Sequence, residues 1–127
     1  MLIDGELGSP RLSGERALAE LRAGLRGGGA ASTLVAAAAT PATLDSELRE
    51  ARALIVLAPA LDAAARPQAR FFELATRARQ AGVPAFALVG DDAGDPFAAR
   101  ILDLQRVLLV RSAQAARRAG ATIAALL

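Results

Sequence analysis

The chain predicts a doubly wound α/β domain of three layers, with five parallel strands in the order 2-1-3-4-5 and helices on both faces. Three observations carry that prediction. Short apolar runs alternate five times with segments of helical period, the pattern of a parallel sheet built from right-handed crossovers. The clearest run, Leu54-Ile55-Val56-Leu57, is continuously apolar, as a strand covered on both faces must be. The 127 residues hold five strand–helix repeats, which suits the five-stranded order better than a longer six-stranded sheet. That length fits one domain over residues 1–127.

In chain order, Met1-Leu2-Ile3 begins the first strand and residues 5–12 read as a loop punctuated by Gly8, Ser9 and Pro10. Ser13 is placed to cap a helix, with Glu15 and Arg16 in its first turn. Leu18, Leu21 and Leu25 share one face of that helix, and Gly27-Gly28-Gly29 ends it. Residues 32–39, with Thr33, Leu34 and Val35, read as a short buried strand that Thr40-Pro41 breaks. A short acidic helix is expected over 43–51, then the strand 54–57, closed by Ala58-Pro59.

The next helix is expected over 67–80, with Phe71, Leu74, Ala75 and Ala78 facing inward and Gly82 beyond its end. Residues 84–89 form the fourth strand and 90–94 a loop, before Asp95-Pro96 starts another helix. Two arrangements fit the remainder. In one, that helix stops near Leu104, Val107-Leu108-Leu109-Val110 is a fifth strand, and Ser112 caps a last helix to Leu126. In the other, a single helix spans 96–119 and a strand closes the chain. The apolar run, the Ser112 cap and the usual length of globular helices favour the first.

Composition narrows the chemistry more than the fold does. There is no cysteine or histidine, and no tyrosine or lysine. Disulfides, thiolate nucleophiles, imidazole bases, Schiff bases and the commonest zinc ligands are therefore excluded. Any reaction must use Asp, Glu, Ser, Thr, Arg, backbone amides or a cofactor. All 15 basic residues are arginine, but the net charge is only +2 and aromatics are 3% of the chain. Scattered arginines without interleaved aromatics argue against a nucleic-acid partner. No stretch is apolar enough to span a membrane and no signal peptide is visible, so a cytoplasmic location is expected. The 54% hydrophobic content exceeds what one small core needs and predicts a homo-oligomer.

In a sheet of this order, small-molecule cofactors or nucleotides bind at the carboxyl ends of the strands, near the point where strand order reverses. Three loops lie there by prediction: 5–13, 58–66 and 90–95. In the first, Ser9, Arg11 and Ser13 precede a helix amino end, an arrangement suited to phosphate. An ordinary polar loop with Ser13 as cap accounts for the same residues. Asp91, Asp92 and Asp95 have the chemistry of hard-cation ligands, but read as a turn and an N-cap, with no metal.

Gly8-Ser9-Pro10-Arg11-Leu12-Ser13, running into Arg16-Ala17-Leu18-Ala19-Glu20-Leu21, resembles the opening loop and helix of the NADPH-dependent FMN reductase family, a branch of the flavodoxin-like proteins. The later stretches Ala58-Pro59-Ala60-Leu61 and 67–73 follow that family's order of segments. The resemblance implies a flavodoxin-like fold, FMN as cofactor and NAD(P)H-dependent reduction. It implies contacts to the cofactor from Ser9, Arg11, Ser13, Pro59, Ala60, Leu61, Gly90 and Asp91. The chain departs from the family at Glu15, where a threonine is usual, and at Leu61, where a tyrosine is usual.

Two alternatives stand beside it. The missing chemistry and apolar surplus fit a non-catalytic flavodoxin-like assembly or partner-binding module. More loosely, Glu73-Leu74 is similar to the catalytic segment of nucleoside 2-deoxyribosyltransferase-like proteins, which would make Glu73 a nucleophile. The residues themselves read Glu73 as a solvated acid in reach of Arg77 at i+4.

Overall fold

A computed structural model describes residues 1–5, 12–36, 39–60, 70–92, 100 and 103–127. Strands β1 (Leu2–Gly5), β2 (Thr33–Leu34), β3 (Leu54–Ala60), β4 (Ala85–Asp92) and β5 (Arg106–Leu109) form one sheet in the order β2-β1-β3-β4-β5. Every pairing is parallel. The described helices are α1 (Gly14–Gly27), α2 (Pro41–Glu50), α3 (Arg70–Gln80) and α4 (Ala113–Ala125).

Strand periodicity sorts the core into two layers, because successive side chains point to opposite faces. Ile3, Ile55, Leu57, Phe86 and Leu88 meet Leu21 and Leu25 of α1 and Ala116 and Ile123 of α4. Leu2, Leu54, Val56, Ala87 and Val89 meet Leu44 and Leu48 of α2 and Leu74 and Ala78 of α3. Buried leucine and isoleucine side chains each contribute about 1.5–3 kcal/mol of transfer free energy, so both layers are needed.

On the first face, α1 and α4 touch through backbone. A Cβ on Gly24 would lie 2.0 Å from the Arg117 carbonyl oxygen, and one on Gly120 would lie 2.3 Å from that of Leu21. Only glycine permits so close an approach. On the second face, Arg77 of α3 spans to α2, placing Nη1 2.9 and 3.1 Å from the two Asp45 carboxylate oxygens.

The structure follows the expected order and moves several boundaries. The segment 32–39 is not a buried strand: β2 is two residues long and both are exposed. Its alanines offer little β propensity or apolar area; among the described residues Val35 is buried in the core and Ala39 packs partly buried against it. Thr40-Pro41, expected to break a strand, instead starts a helix, β2 having closed at Leu34. Thr40 Oγ1 accepts the Thr43 N–H at 3.2 Å, and Pro41 occupies the first helical position.

Strand β3 continues through Pro59 to Ala60, with a register shift between Ala58 and Ala60. Proline is tolerated there because the ladder steps over the missing donor. Strand β4 likewise runs on through Gly90 and Asp91, residues expected in a loop, because Asp92 pairs with Ala60. The predicted loop 5–12 is bounded by Gly5, which closes β1, and by Leu12, which is buried in the core.

Near the carboxyl terminus, β5 begins one residue before the expected run. Ser112 caps α4, its Oγ accepting the Ala115 N–H at 3.1 Å. The first arrangement, with a fifth strand followed by a last helix capped by Ser112, is thus the one adopted. The helix expected from Asp95-Pro96 falls mostly outside the described residues; Arg100 is helical, and Asp103 turns out with φ 53°.

Candidate functional site

The reversal of strand order falls between β1 and β3, whose chains leave the sheet toward opposite faces. Their carboxyl ends border the crevice in which ligands of such sheets bind. Gly5 closes β1 with φ 96°, and a Cβ there would sit 2.0 Å from the Leu57 carbonyl oxygen. Gly5 is still in register with Leu57 of β3, so the ends of the two strands lie in close backbone contact.

Above the sheet stands the amino end of α1. Ser13 Oγ accepts the Arg16 N–H at 3.2 Å, so Ser13 is the cap the sequence indicates. A capping hydroxyl keeps its own proton available to donate, so this role is compatible with an anion contact. Pro59 and Ala60 are the last residues of β3, and Gly90 and Asp91 lie beside them in β4. These four therefore share the carboxyl edge of the sheet. Ser9, Arg11 and Leu61 lie outside the described residues.

Two charged residues that the sequence reading passed over also belong to this edge. Asp4, the penultimate residue of β1, has a side chain only 12% exposed, and Arg70 Nε lies 3.1 Å from its Oδ1. Arg70 Nη2 donates to the Ala36 carbonyl at 2.8 Å. One guanidinium thus joins the end of β1, the opening of α3 and the segment after β2.

Burial raises the Asp4 pKa above the ordinary carboxylate value, despite the opposing pull of the Arg70 charge and hydrogen bond and of the Gly5 N–H. Desolvation therefore outweighs pairing, and the charged form of Asp4 is held at a net cost. Sequence signals for both residues existed. Asp4 is an acid in an otherwise apolar central strand, and Arg70 is a cation in the expected first turn of a helix, where the macrodipole disfavours it.

Glu73 lies elsewhere in the electrostatic pattern. Arg77 Nε is 3.2 Å from its Oε1, and Arg77 also holds Asp45. This is the i+4 pairing expected of a surface acid, and the carboxylate is committed to the α2–α3 side. Clefts among the described residues open at the opposite end of the sheet. One of about 230 Å³ is lined by Gly82, Val83, Pro84, Asp103 and Gln105. Another is lined by Leu2, Thr33, Glu47 and Glu50. No group of three or more metal-ligating side chains occurs among the described residues. No described helix is long and apolar enough to cross a membrane.

No protein-family model matches the chain, and no curated protein does. Among solved structures, it is similar to the flavodoxin-like domain of a protein from Synechococcus sp.. The identity is 18% and the TM-score 0.63, over 99% of this chain and 97% of that one. The fold is flavodoxin-like. At that identity the likeness speaks for the architecture and not for the activity.

Proposed function

We propose that this flavodoxin-like chain holds an anionic mononucleotide of the FMN class at the carboxyl ends of β1, β3 and β4, and serves NAD(P)H-dependent flavin reduction. The observation that carries the proposal is the convergence of three features at the β1–β3 reversal. These are the capped amino end of α1, the positive-φ turn at Gly5, and the Arg70 guanidinium. Helix amino ends and arginine forks both favour a phosphate.

The residues fit the group in parts. Ser13 and the first turn of α1 would hold the phosphate, while the backbone of Pro59, Ala60, Gly90 and Asp91 would border the ring. Gly5, which carries no side chain, lets the end of β1 lie directly against the Leu57 carbonyl of β3. The chain has no tyrosine or tryptophan, so ring binding would rest on backbone and aliphatic contacts instead of stacking. When bound, the flavin supplies the electron-accepting centre that the side-chain inventory lacks.

The test is the visible spectrum of purified protein incubated with FMN and desalted. A retained flavin band supports the proposal. A colourless protein after exposure to millimolar FMN overturns it.

A second reading has its own observation. Leu34 in β2 and Leu109 in β5 are 47% and 43% exposed, so each outer strand of the sheet shows a large apolar side chain. This favours a homo-oligomeric assembly module. Light scattering decides: a dimer or larger species supports it, and a strict monomer across a tenfold concentration range contradicts it.

A further inference from the structure

Asp4 and Arg70 sit at the floor of the proposed mononucleotide site, where a carboxylate beside a phosphate would be repelled. Their exposures differ in a useful way. The guanidinium side chain is 36% exposed and the carboxylate 12%, so of the pair Arg70 is the more accessible to a solute. The bond from Arg70 Nη2 to the Ala36 carbonyl anchors the guanidinium independently of Asp4. Arg70 can therefore keep its place while its carboxylate partner changes.

Resting on the mononucleotide reading, we infer that Asp4 is an internal competitor for the ligand's anionic group. A phosphate entering the crevice takes over the Arg70 guanidinium, and Asp4 takes up one proton as the ion pair is lost. The only bond formed is the O–H of the Asp4 carboxyl. The proton comes from solvent, so the buried charge released by Asp4 is replaced by that of the ligand.

The surroundings support the exchange. Among the described residues, the neighbours of Asp4 on the flanking strands are apolar: Val56 lies opposite it in β3, and Val35 packs in the same layer. From α3, Arg70 is the charged group that faces it, while Glu73 is held by Arg77. Burial already holds the Asp4 carboxyl above its ordinary pKa with Arg70 in place. A phosphate that neutralises the guanidinium where it stands raises it further, which is the direction proton uptake requires.

The experiment compares wild type with Asp4→Asn, an isosteric change that removes the charge. FMN affinity is measured by fluorescence quenching from pH 5 to 8, and riboflavin serves as the ligand without phosphate. FMN should bind Asp4→Asn about tenfold more tightly than wild type at pH 8, and the gap should close as pH falls. Calorimetry in two buffers of different ionisation enthalpy should show more proton uptake by wild type than by Asp4→Asn. Riboflavin affinity should be unchanged by the substitution, and Arg70→Gln should weaken FMN in both backgrounds.

Equal pH profiles for wild type and Asp4→Asn, or weaker FMN binding by the variant throughout, overturn the exchange and leave the mononucleotide site standing. If neither protein binds FMN at any pH, the site and the exchange fall together.

Discussion

The seam between α1 and α4 offers a prediction whose sign runs against helix propensity. Gly120 lies inside α4, where alanine would ordinarily gain about 1 kcal/mol over glycine. Its added Cβ, however, would meet the Leu21 carbonyl oxygen at 2.3 Å and the Leu25 amide nitrogen at 2.8 Å. Both are backbone atoms, so no rotamer change relieves them. Restoring ordinary contact needs the helices to separate by about 1 Å, a gap that forfeits a quarter to a half of the dispersion attraction of each affected contact. Overpacking of this kind costs about 3 kcal/mol at the upper end of the usual range. Set against the helix gain, Gly120→Ala should lose about 2 kcal/mol net, and Tm should drop by roughly 8 °C for a chain of this length. Gly27→Ala is the control, since a Cβ there meets nothing within 4 Å. It should raise Tm by a few degrees. Thermal unfolding followed by circular dichroism measures both. If Gly120→Ala also raises Tm, the close backbone approach is not a feature of the folded protein.

Three further outcomes are expected. Because the folded pKa of Asp4 is raised, its contribution to stability is present below about pH 3.8, the ordinary carboxylate value, and is lost as pH rises through the folded pKa. Urea midpoints should therefore separate in favour of Asp4→Asn toward neutral pH and converge in acid. Gly5→Ala forces a side chain into both a positive φ and the Leu57 carbonyl. It should cost at least about 2 kcal/mol in urea unfolding and abolish FMN retention. Thr40→Ala removes the cap of α2 and should cost about 1 kcal/mol by the same measurement, leaving FMN retention unchanged.

Much of the architecture was legible because it rests on local patterns. The unbroken Leu54–Leu57 run, the inward face of Leu21 and Leu25, and the caps Ser13 and Ser112 each pair one residue type with one physical requirement. The boundaries that moved depend on partners distant in sequence. Pro59, Gly90 and Asp91 are turn formers by type, yet they remain in strands because β3 and β4 carry each other beyond the apolar segment. The edge position of β2 leaves Thr33 and Leu34 exposed, a fact that no property of those residues announces.

The site was legible only in place and in part. Ser13, Pro59, Ala60, Gly90 and Asp91 were expected near the carboxyl edge and occur there, because strand order alone assigns that end. Asp4 and Arg70 are 66 positions apart and acquire meaning only when β1 and the opening of α3 meet. The clues were an acid in a buried strand and a cation at the amino end of a helix. Both are unfavourable choices locally, and each offsets the other only once the chain has folded.

The claim that a mononucleotide binds at the carboxyl edge of this sheet is tested most directly by amide chemical-shift mapping during an FMN titration. The shifts should concentrate at Asp4, Gly5, Ser13, Ala36, Arg70 and Gly90, while Gly82, Val83 and Gln105 at the opposite end stay still. Shifts centred on that opposite end, or none at saturating FMN, would contradict the account.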